Sequence, residues 1–255
     1  MMKVTLPKLK SKKGTEKISM VTCYDASFAR LVEKAGIDSI LVGDSLGMVI
    51  GGEENTLKVS AEDVAYHVKA VKKGAANPFL IADMPFGSYQ DSVETGVKNA
   101  VALIKAGAEA VKVEGGSEVC PLISKLVSFG IPVVAHVGLT PQYVHKFGGF
   151  AKRGKTEEEC RFIMDSALAV EKAGADMIVL EGIPETLAEE ITKTVKIPTI
   201  GIGAGKDTDG QVLVIYDLLG MNADFNPAFL KKYLDLDSLI TNALEKYRED
   251  VISGR

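Results

Sequence analysis

The strongest constraint on this chain is a rhythm of eight short apolar, β-branched runs, nearly all of them followed by a segment that reads as helix. The runs are ISMVTC (18–23), SILVGD (39–44), PFLIAD (78–83), AVKVEG (110–115), IPVVAH (131–136), MIVLEG (177–182), PTIGIG (198–203) and VLVIYD (212–217). Continuous apolar runs of this length suit parallel strands covered on both faces, whereas a half-exposed sheet would show strict alternation. Ser60 with Asp63, Asp91 with Glu94, and Thr156 with Glu159 each read as a helix N-cap followed by an acid three residues on. The phrases VEKAGID (32–38), IKAGAEA (104–110) and EKAGADM (171–177) place Gly36, Gly107 and Gly174 where left-handed C-caps are expected, just ahead of a strand. Between the last two runs there is room for a turn of helix at most. Eight βα units in 255 residues have the size of a single-domain (β/α)8 TIM barrel spanning 1–255. A lysine-rich arm (about 1–17) is expected to be solvated, and a polar helical tail (about 226–255) follows the barrel. An open doubly wound sheet is the alternative.

Composition matters for what it excludes. A formal net charge of −4 gives no electrostatic footprint for nucleic acid. No apolar run is long enough to span a bilayer, so no membrane partner is expected. The N-terminus lacks the apolar stretch of a secretory signal. Cys23, Cys120 and Cys160 are scattered without CxxC spacing, which predicts a reducing, cytoplasmic setting.

The chemistry is predicted at the strand ends. In AVKVEGG (110–116) the alternation of a strand points Lys112 and Glu114 one way and Val111 and Val113 the other. Charges on a covered strand need a partner, a metal or a substrate. Asp44 and Asp83 close the second and third runs, His136 the fifth and Glu181 the sixth. In a barrel these ends meet on one face, where active sites are built. Each has a plainer explanation: a carboxylate after a strand can cap the next helix, Lys112 and Glu114 can form a structural pair, and His136 can be a satisfied core residue. Their coincidence at consecutive strand ends favours a shared site. Asp44, Asp83 and Glu114 are all-oxygen donors suited to a hard cation such as Mg2+. With His67, His136 and His145 as the only histidines, zinc is poorly supported, and His67 reads as structural. IGIGAGKDTDG (200–210) resembles a phosphate-cradling loop only weakly, and FGGFAKRGK (147–155) reads as a mobile lid or a solvated loop.

Six stretches carry a resemblance: TCYDASFA (22–29), LVGDSLGMV (41–49), ADMPFGSY (82–89), VKVEGG (111–116), AHVGLTPQ (135–142) and IGIGAGKDTDGQVLV (200–214). On these, in order over roughly residues 18–220, the chain resembles the ketopantoate hydroxymethyltransferase (3-methyl-2-oxobutanoate hydroxymethyltransferase) family. The resemblance implies a TIM barrel that moves a one-carbon unit from the co-substrate 5,10-methylenetetrahydrofolate to 3-methyl-2-oxobutanoate (2-oxoisovalerate). The product is ketopantoate, for pantothenate and coenzyme A synthesis. It also implies Mg2+ at Asp44, Asp83 and, through water, Glu114. Ser45 and Lys112 would contact the oxoacid and Glu181 would act as base, with His136, Asp44 and Asp83 grouped among the substrate-binding residues. Enzymes similar to this one are usually homo-oligomers, decamers of two stacked pentamers. The chain departs from that pattern in the loop GGFAKRGK, in Tyr216 before Asp217, and in a short tail after SGR. Two competing expectations keep the barrel. One is a phosphoenolpyruvate mutase or isocitrate lyase type of enzyme, whose usual active-site Cys loop has no clear candidate here. The other is a non-catalytic binding protein.

Overall fold

The computed structural model describes residues 2–223 and 225–255; Met1, the first residue of the expected arm, lies outside them. The strands are β1 (Ile18–Thr22), β2 (Ser39–Val42), β3 (Phe79–Asp83), β4 (Ala110–Glu114), β5 (Val133–Gly138), β6 (Met177–Glu181), β7 (Thr199–Ile202) and β8 (Gly210–Leu213). All are parallel neighbours in a closed barrel, in sequence order. Closure is made by Ile18, whose N–H donates to the carbonyl of Asp209 at 2.8 Å. The helices are α1 (Leu6–Ser11), α2 (Ala26–Lys34), α3 (Leu46–Val49), α4 (Ala61–Gly74), α5 (Val93–Ala106), α6 (Cys120–Ser128), α7 (Val144–Phe147), α8 (Glu157–Lys172), α9 (Glu185–Thr194), α10 (Ile215–Leu218) and α11 (Leu236–Ser253).

The chain forms two compact units, residues 1–212 and 213–255. The first carries nearly all of the barrel. The second carries α10 and α11; α11 begins later than the expected tail and buries none of its residues.

Local punctuation follows the sequence closely, with one slip. Ser60 and Asp63 form a reciprocal capping box on α4, and Thr156 accepts from the Glu159 N–H at the start of α8. At α5 the cap is Ser92 rather than Asp91: Ser92 has the extended backbone a cap requires and accepts from Thr95 N–H, while Asp91 takes the Thr95 hydroxyl. Gly36, Gly107 and Gly174 all have positive φ, at 76°, 125° and 104°. The eighth strand also differs. It is Gly210–Leu213, and Tyr216 and Asp217 lie on α10. Pairing with β7 begins at Gly210 opposite Ile200, so the β-branched run VLVIYD starts two residues into the strand and outlasts it. At Gly210 the close backbone approach is visible: a Cβ there would meet the Ile18 carbonyl at 2.5 Å.

The period of two decides what faces inward. Phe79, Ile81, Ala110, Val134, Met177 and Val179 belong to one buried cluster inside the barrel. Continuing each strand by two residues on the same face gives Asp83, Lys112 and Glu114, His136 and Glu181. Val111, Val113, Val137 and Leu180 point the other way and are buried too. The apolar core therefore fills the lower barrel, and the ionisable residues sit on top of it at the C-terminal ends.

The N-terminal arm is not solvated as expected. Leu9 of α1 is fully buried in the barrel cluster, and Val4 joins it. The lysines that suggested solvation reach acids placed just before each even-numbered strand: Lys12 to Asp38, Lys3 to Glu109, Lys10 to Asp176 and Lys13 to Asp209. Each acid also accepts a backbone N–H near the start of the preceding odd strand, from Ser19, Leu80, Val133 and Thr199 respectively. Three of these acids are the last charged residues of the recurring phrases VEKAGID, IKAGAEA and EKAGADM. A fourfold ring of carboxylates thus laces strand pairs together and ties the arm across the bottom of the barrel.

Candidate active site

Strand register brings the expected residues together. Asp83 is opposite Lys112 across β3 and β4, Glu114 is opposite His136 across β4 and β5, and Gly138 is opposite Glu181 across β5 and β6. Asp44 follows β2, and its backbone N–H donates to Asp83 Oδ2 at 3.1 Å. Lys112 Nζ lies 2.7 Å from Asp83 Oδ1, 3.3 Å from Glu114 Oε1 and 3.2 Å from His136 Nδ1. His136 spans the gap onward: Nδ1 is 3.3 Å from Glu114 Oε1, and Nε2 is 3.3 Å from Glu181 Oε2. Asp44, Asp83, Lys112, Glu114 and His136 are buried, whereas the Glu181 side chain is 23% exposed. Glu181 is thus the most open member of this set.

Ser45 is adjacent to Asp44, and its hydroxyl shares a 2.8 Å hydrogen bond with Tyr24 OH. His67 is structural as expected, with Nδ1 2.6 Å from the Tyr24 carbonyl.

The electrostatics follow from burial among like charges. Burial, then the nearby Asp83 and Glu114, hold the Asp44 carboxyl well above the usual carboxylate range. Burial likewise raises Asp83, with Lys112 opposing it. Burial disfavours the Lys112 ammonium, but Asp83, Glu114 and Asp44 outweigh it and hold that ammonium firmly protonated. Glu114 goes the other way: against the cost of burial, Lys112 and His136 pull it down to about 2. For His136, burial and Lys112 oppose the imidazolium, yet Glu114 and Glu181 carry it up to about 9.

Asp83 Oδ1 is buried without an aligned hydrogen bond, although Lys112 Nζ is only 2.7 Å away. The contact is a close ion pair, and a further cation at this oxygen would share it with the Lys112 ammonium. Both Glu114 oxygens are engaged: Oε1 faces Lys112 and His136, and Oε2 accepts the Gln142 N–H at 3.0 Å. Among the described residues no group of three or more His, Cys, Asp or Glu is arranged to hold a metal ion. The donor set that remains is the Asp44–Asp83 pair, with Glu114 beyond direct reach. Two buried carboxylates whose mutual repulsion a hard cation would relieve fit such an ion.

Two participants were not assigned from sequence. Gln142 and Tyr89 are buried, and each is the last residue of a quoted stretch, AHVGLTPQ and ADMPFGSY. An amide and a phenol carry no charge, so a search for ionisable strand ends passes over them. Their only signal was membership of those stretches.

The glycine-rich loops are more closely tied than their composition suggested. In FGGFAKRGK the Arg153 N–H donates to the Gly182 carbonyl at 2.8 Å, and its guanidinium pairs with Glu159 and lies 4.4 Å from the centre of the Phe147 ring. That end of the loop is docked beside Glu181. In IGIGAGKDTDG Lys206 and Asp207 are exposed, whereas Thr208 and Asp209 turn inward, Thr208 donating to the Gly210 carbonyl and Asp209 joining the carboxylate ring at the barrel bottom. Among the described residues no helix is long and apolar enough to cross a membrane.

Comparison with known proteins gives the family. Residues 3–255 match the family model described as ketopantoate hydroxymethyltransferase. A 3-methyl-2-oxobutanoate hydroxymethyltransferase of Thermotoga maritima is 55% identical over 98% of this chain and 93% of its own. One of Thermococcus kodakarensis is 54% identical over 100% of this chain and 89% of its own. Among solved structures, a phosphonopyruvate hydrolase complex with oxalate and Mg++ superposes with a TM-score of 0.63 at 15% identity, covering 84% of this chain and 81% of that one. A 2,3-dimethylmalate lyase gives 0.62 at 13%, covering 100% and 90%. At such identities these structures share the fold alone.

Proposed function

Since the chain belongs to the ketopantoate hydroxymethyltransferase family and is an enzyme, we propose that it transfers a hydroxymethyl group to 3-methyl-2-oxobutanoate, giving 2-dehydropantoate (ketopantoate). The donor is 5,10-methylenetetrahydrofolate, and the product feeds pantothenate and coenzyme A synthesis. The observation that carries this reading is the chain of contacts from Asp83 through Lys112, Glu114 and His136 to the half-open Glu181. It sets a base beside a buried cationic group and two buried carboxylates, which is what proton removal next to a carbonyl needs.

Asp44 and Asp83 would hold Mg2+, which when bound supplies positive charge to stabilise an oxyanion at the keto oxygen. The other roles belong to the chain's own side chains. Lys112 places a permanent cation where the oxoacid carboxylate can pair with it. Glu181 accepts the proton from the third carbon, and His136, 3.3 Å away, holds the carboxylate in place and compensates its charge. The electron pair released there attacks the donor's methylene carbon, forming the new carbon–carbon bond, and water supplies the hydroxyl as the carbon leaves tetrahydrofolate. Ser45 lies at the rim beside Asp44, where a hydroxyl can reach the oxoacid. Burial of the five inner residues keeps bulk water from the reacting charges.

Two further parts of the proposal rest on other features. Cys23, Cys120 and Cys160 are free, which supports a cytoplasmic setting. On α11, Leu239, Ile240, Leu244, Tyr247 and Val251 are exposed, which supports a homo-oligomer, a decamer by family pattern.

The deciding experiment is exchange of the C3 proton of 3-methyl-2-oxobutanoate in deuterated water, followed by NMR with and without Mg2+. Mg2+-dependent exchange, with product formed only when methylenetetrahydrofolate is added, is the expected result. Absence of exchange in the presence of Mg2+ would remove the proposed chemistry.

A further inference from the structure

We propose that Gln142 is a positioning residue of this site: it decides which oxygens of Asp44 and Glu114 remain open to an incoming cation and substrate. The inference rests on the proposed cation role of Asp44 and Asp83.

Gln142 lies in the single turn Pro141–Tyr143 that follows β5, so the backbone rather than a flexible loop delivers it over the barrel mouth. Its amide is saturated. Nε2 donates to Asp44 Oδ2 and to the Met84 carbonyl, both at 3.0 Å. Oε1 accepts from Tyr89 OH at 2.8 Å and from Gln90 Nε2 at 3.1 Å. Flipping the amide would set its oxygen against two acceptors, so the orientation follows from the network. Tyr89 OH in turn accepts the Glu114 N–H at 3.1 Å, and the Gln142 N–H donates to Glu114 Oε2 at 3.0 Å. One residue therefore grips a carboxylate on each side of the mouth.

The chemical consequence lies in what is left. Asp44 Oδ2 is occupied, and among the described residues no hydrogen bond reaches Asp44 Oδ1. Asp83 Oδ2 takes the Asp44 N–H, and Oδ1 faces the Lys112 ammonium at 2.7 Å. Asp44 thus offers one oxygen, Asp83 one that it shares with Lys112, and Glu114 none directly. A neutral amide is suited to this task, because a lysine or arginine there would orient Asp44 but also cancel the charge a cation needs. The Gln142 clamp selects one-oxygen over two-oxygen binding by Asp44, and the Asp44 N–H does the same for Asp83.

The test uses Mn2+ as the probe, with affinity and electron paramagnetic resonance spectrum measured on the full chain without substrate. The variants are Gln142→Met, which keeps the bulk and removes every side-chain polar contact while leaving the backbone N–H on Glu114, and Gln142→Glu, which keeps the acceptor for Tyr89 and Gln90 but loses the Nε2 donor. Asp83→Asn identifies the site. In wild type, Mn2+ binding that Asp83→Asn abolishes is expected. Gln142→Met should weaken it about 10–100-fold, as losses of such outer partners do, and Gln142→Glu should change the spectrum while thermal unfolding stays close to wild type. An unchanged affinity in Gln142→Met, or an unchanged spectrum in a folded Gln142→Glu, overturns the positioning role and leaves the cation reading intact. No Mn2+ binding by wild type overturns both.

Discussion

Asp83 and Lys112 face each other across the third and fourth strands, with Nζ 2.7 Å from Oδ1 and both side chains almost wholly buried. Isolated, either charge would be costly at that depth. Together with Asp44 and Glu114 they set three buried carboxyl groups close together, and a divalent ion would relieve the repulsion that raises Asp44.

Asp83→Ala removes one half of the two-aspartate set and the nearest counter-charge of Lys112. Turnover of 3-methyl-2-oxobutanoate should fall by about 10^3-fold or more, the several kcal/mol that charge stabilisation of this kind supplies. The assay is product formation with and without added Mg2+. Near-normal activity in chelator-treated buffer would contradict the metal role.

Glu181→Gln keeps the size of the side chain and its reach toward His136 while removing the base. C3 proton exchange should slow by about 10^2–10^4-fold, with Mg2+-dependent binding of the oxoacid retained. Unchanged exchange by NMR would take Glu181 out of that role.

Asp209 tests the carboxylate ring at the barrel bottom. Burial opposes its charge, but Lys13 and the N–H groups of Thr199 and Gly14 outweigh it and hold the carboxyl below its usual value. A lowered carboxyl contributes stability that is present above the unfolded value near ~4 and is lost as pH falls through the folded value. Asp209→Asn should therefore cost about 1–3 kcal/mol at pH 7, and the difference from wild type should shrink below about pH 4. Chemical denaturation at both pH values measures it; a penalty independent of pH would show that the charge is not what matters.

Leu9→Ala tests the arm as part of the core. Leu9 is fully buried in the barrel cluster, so truncation should cost roughly 3 kcal/mol, or roughly 6–12 °C in midpoint for a chain of this size. C3 exchange at low temperature should hardly change, because the arm closes the end of the barrel opposite the site. A midpoint within a degree of wild type would mean the arm is peripheral.

The eight βα units are legible in the sequence, since strand periodicity, caps and glycine punctuation are local and each is written in a few adjacent residues, whereas closure of the sheet is seen only in the fold. Legible too are the inward residues of β3 to β6, because a period of two carries the core face directly from Ile81 to Asp83 and from Val134 to His136. The remaining features depend on groups that meet across long stretches of chain. Lys3, Lys10, Lys12 and Lys13 read as solvated because their acids lie up to 196 residues away, and strand eight differs from its apolar run because pairing with β7, rather than β-branching, sets where a strand starts and stops. Gln142 stayed invisible for the same reason: its importance lies in a neutral amide poised between Asp44 and Glu114, and no pattern in its own neighbourhood encodes that.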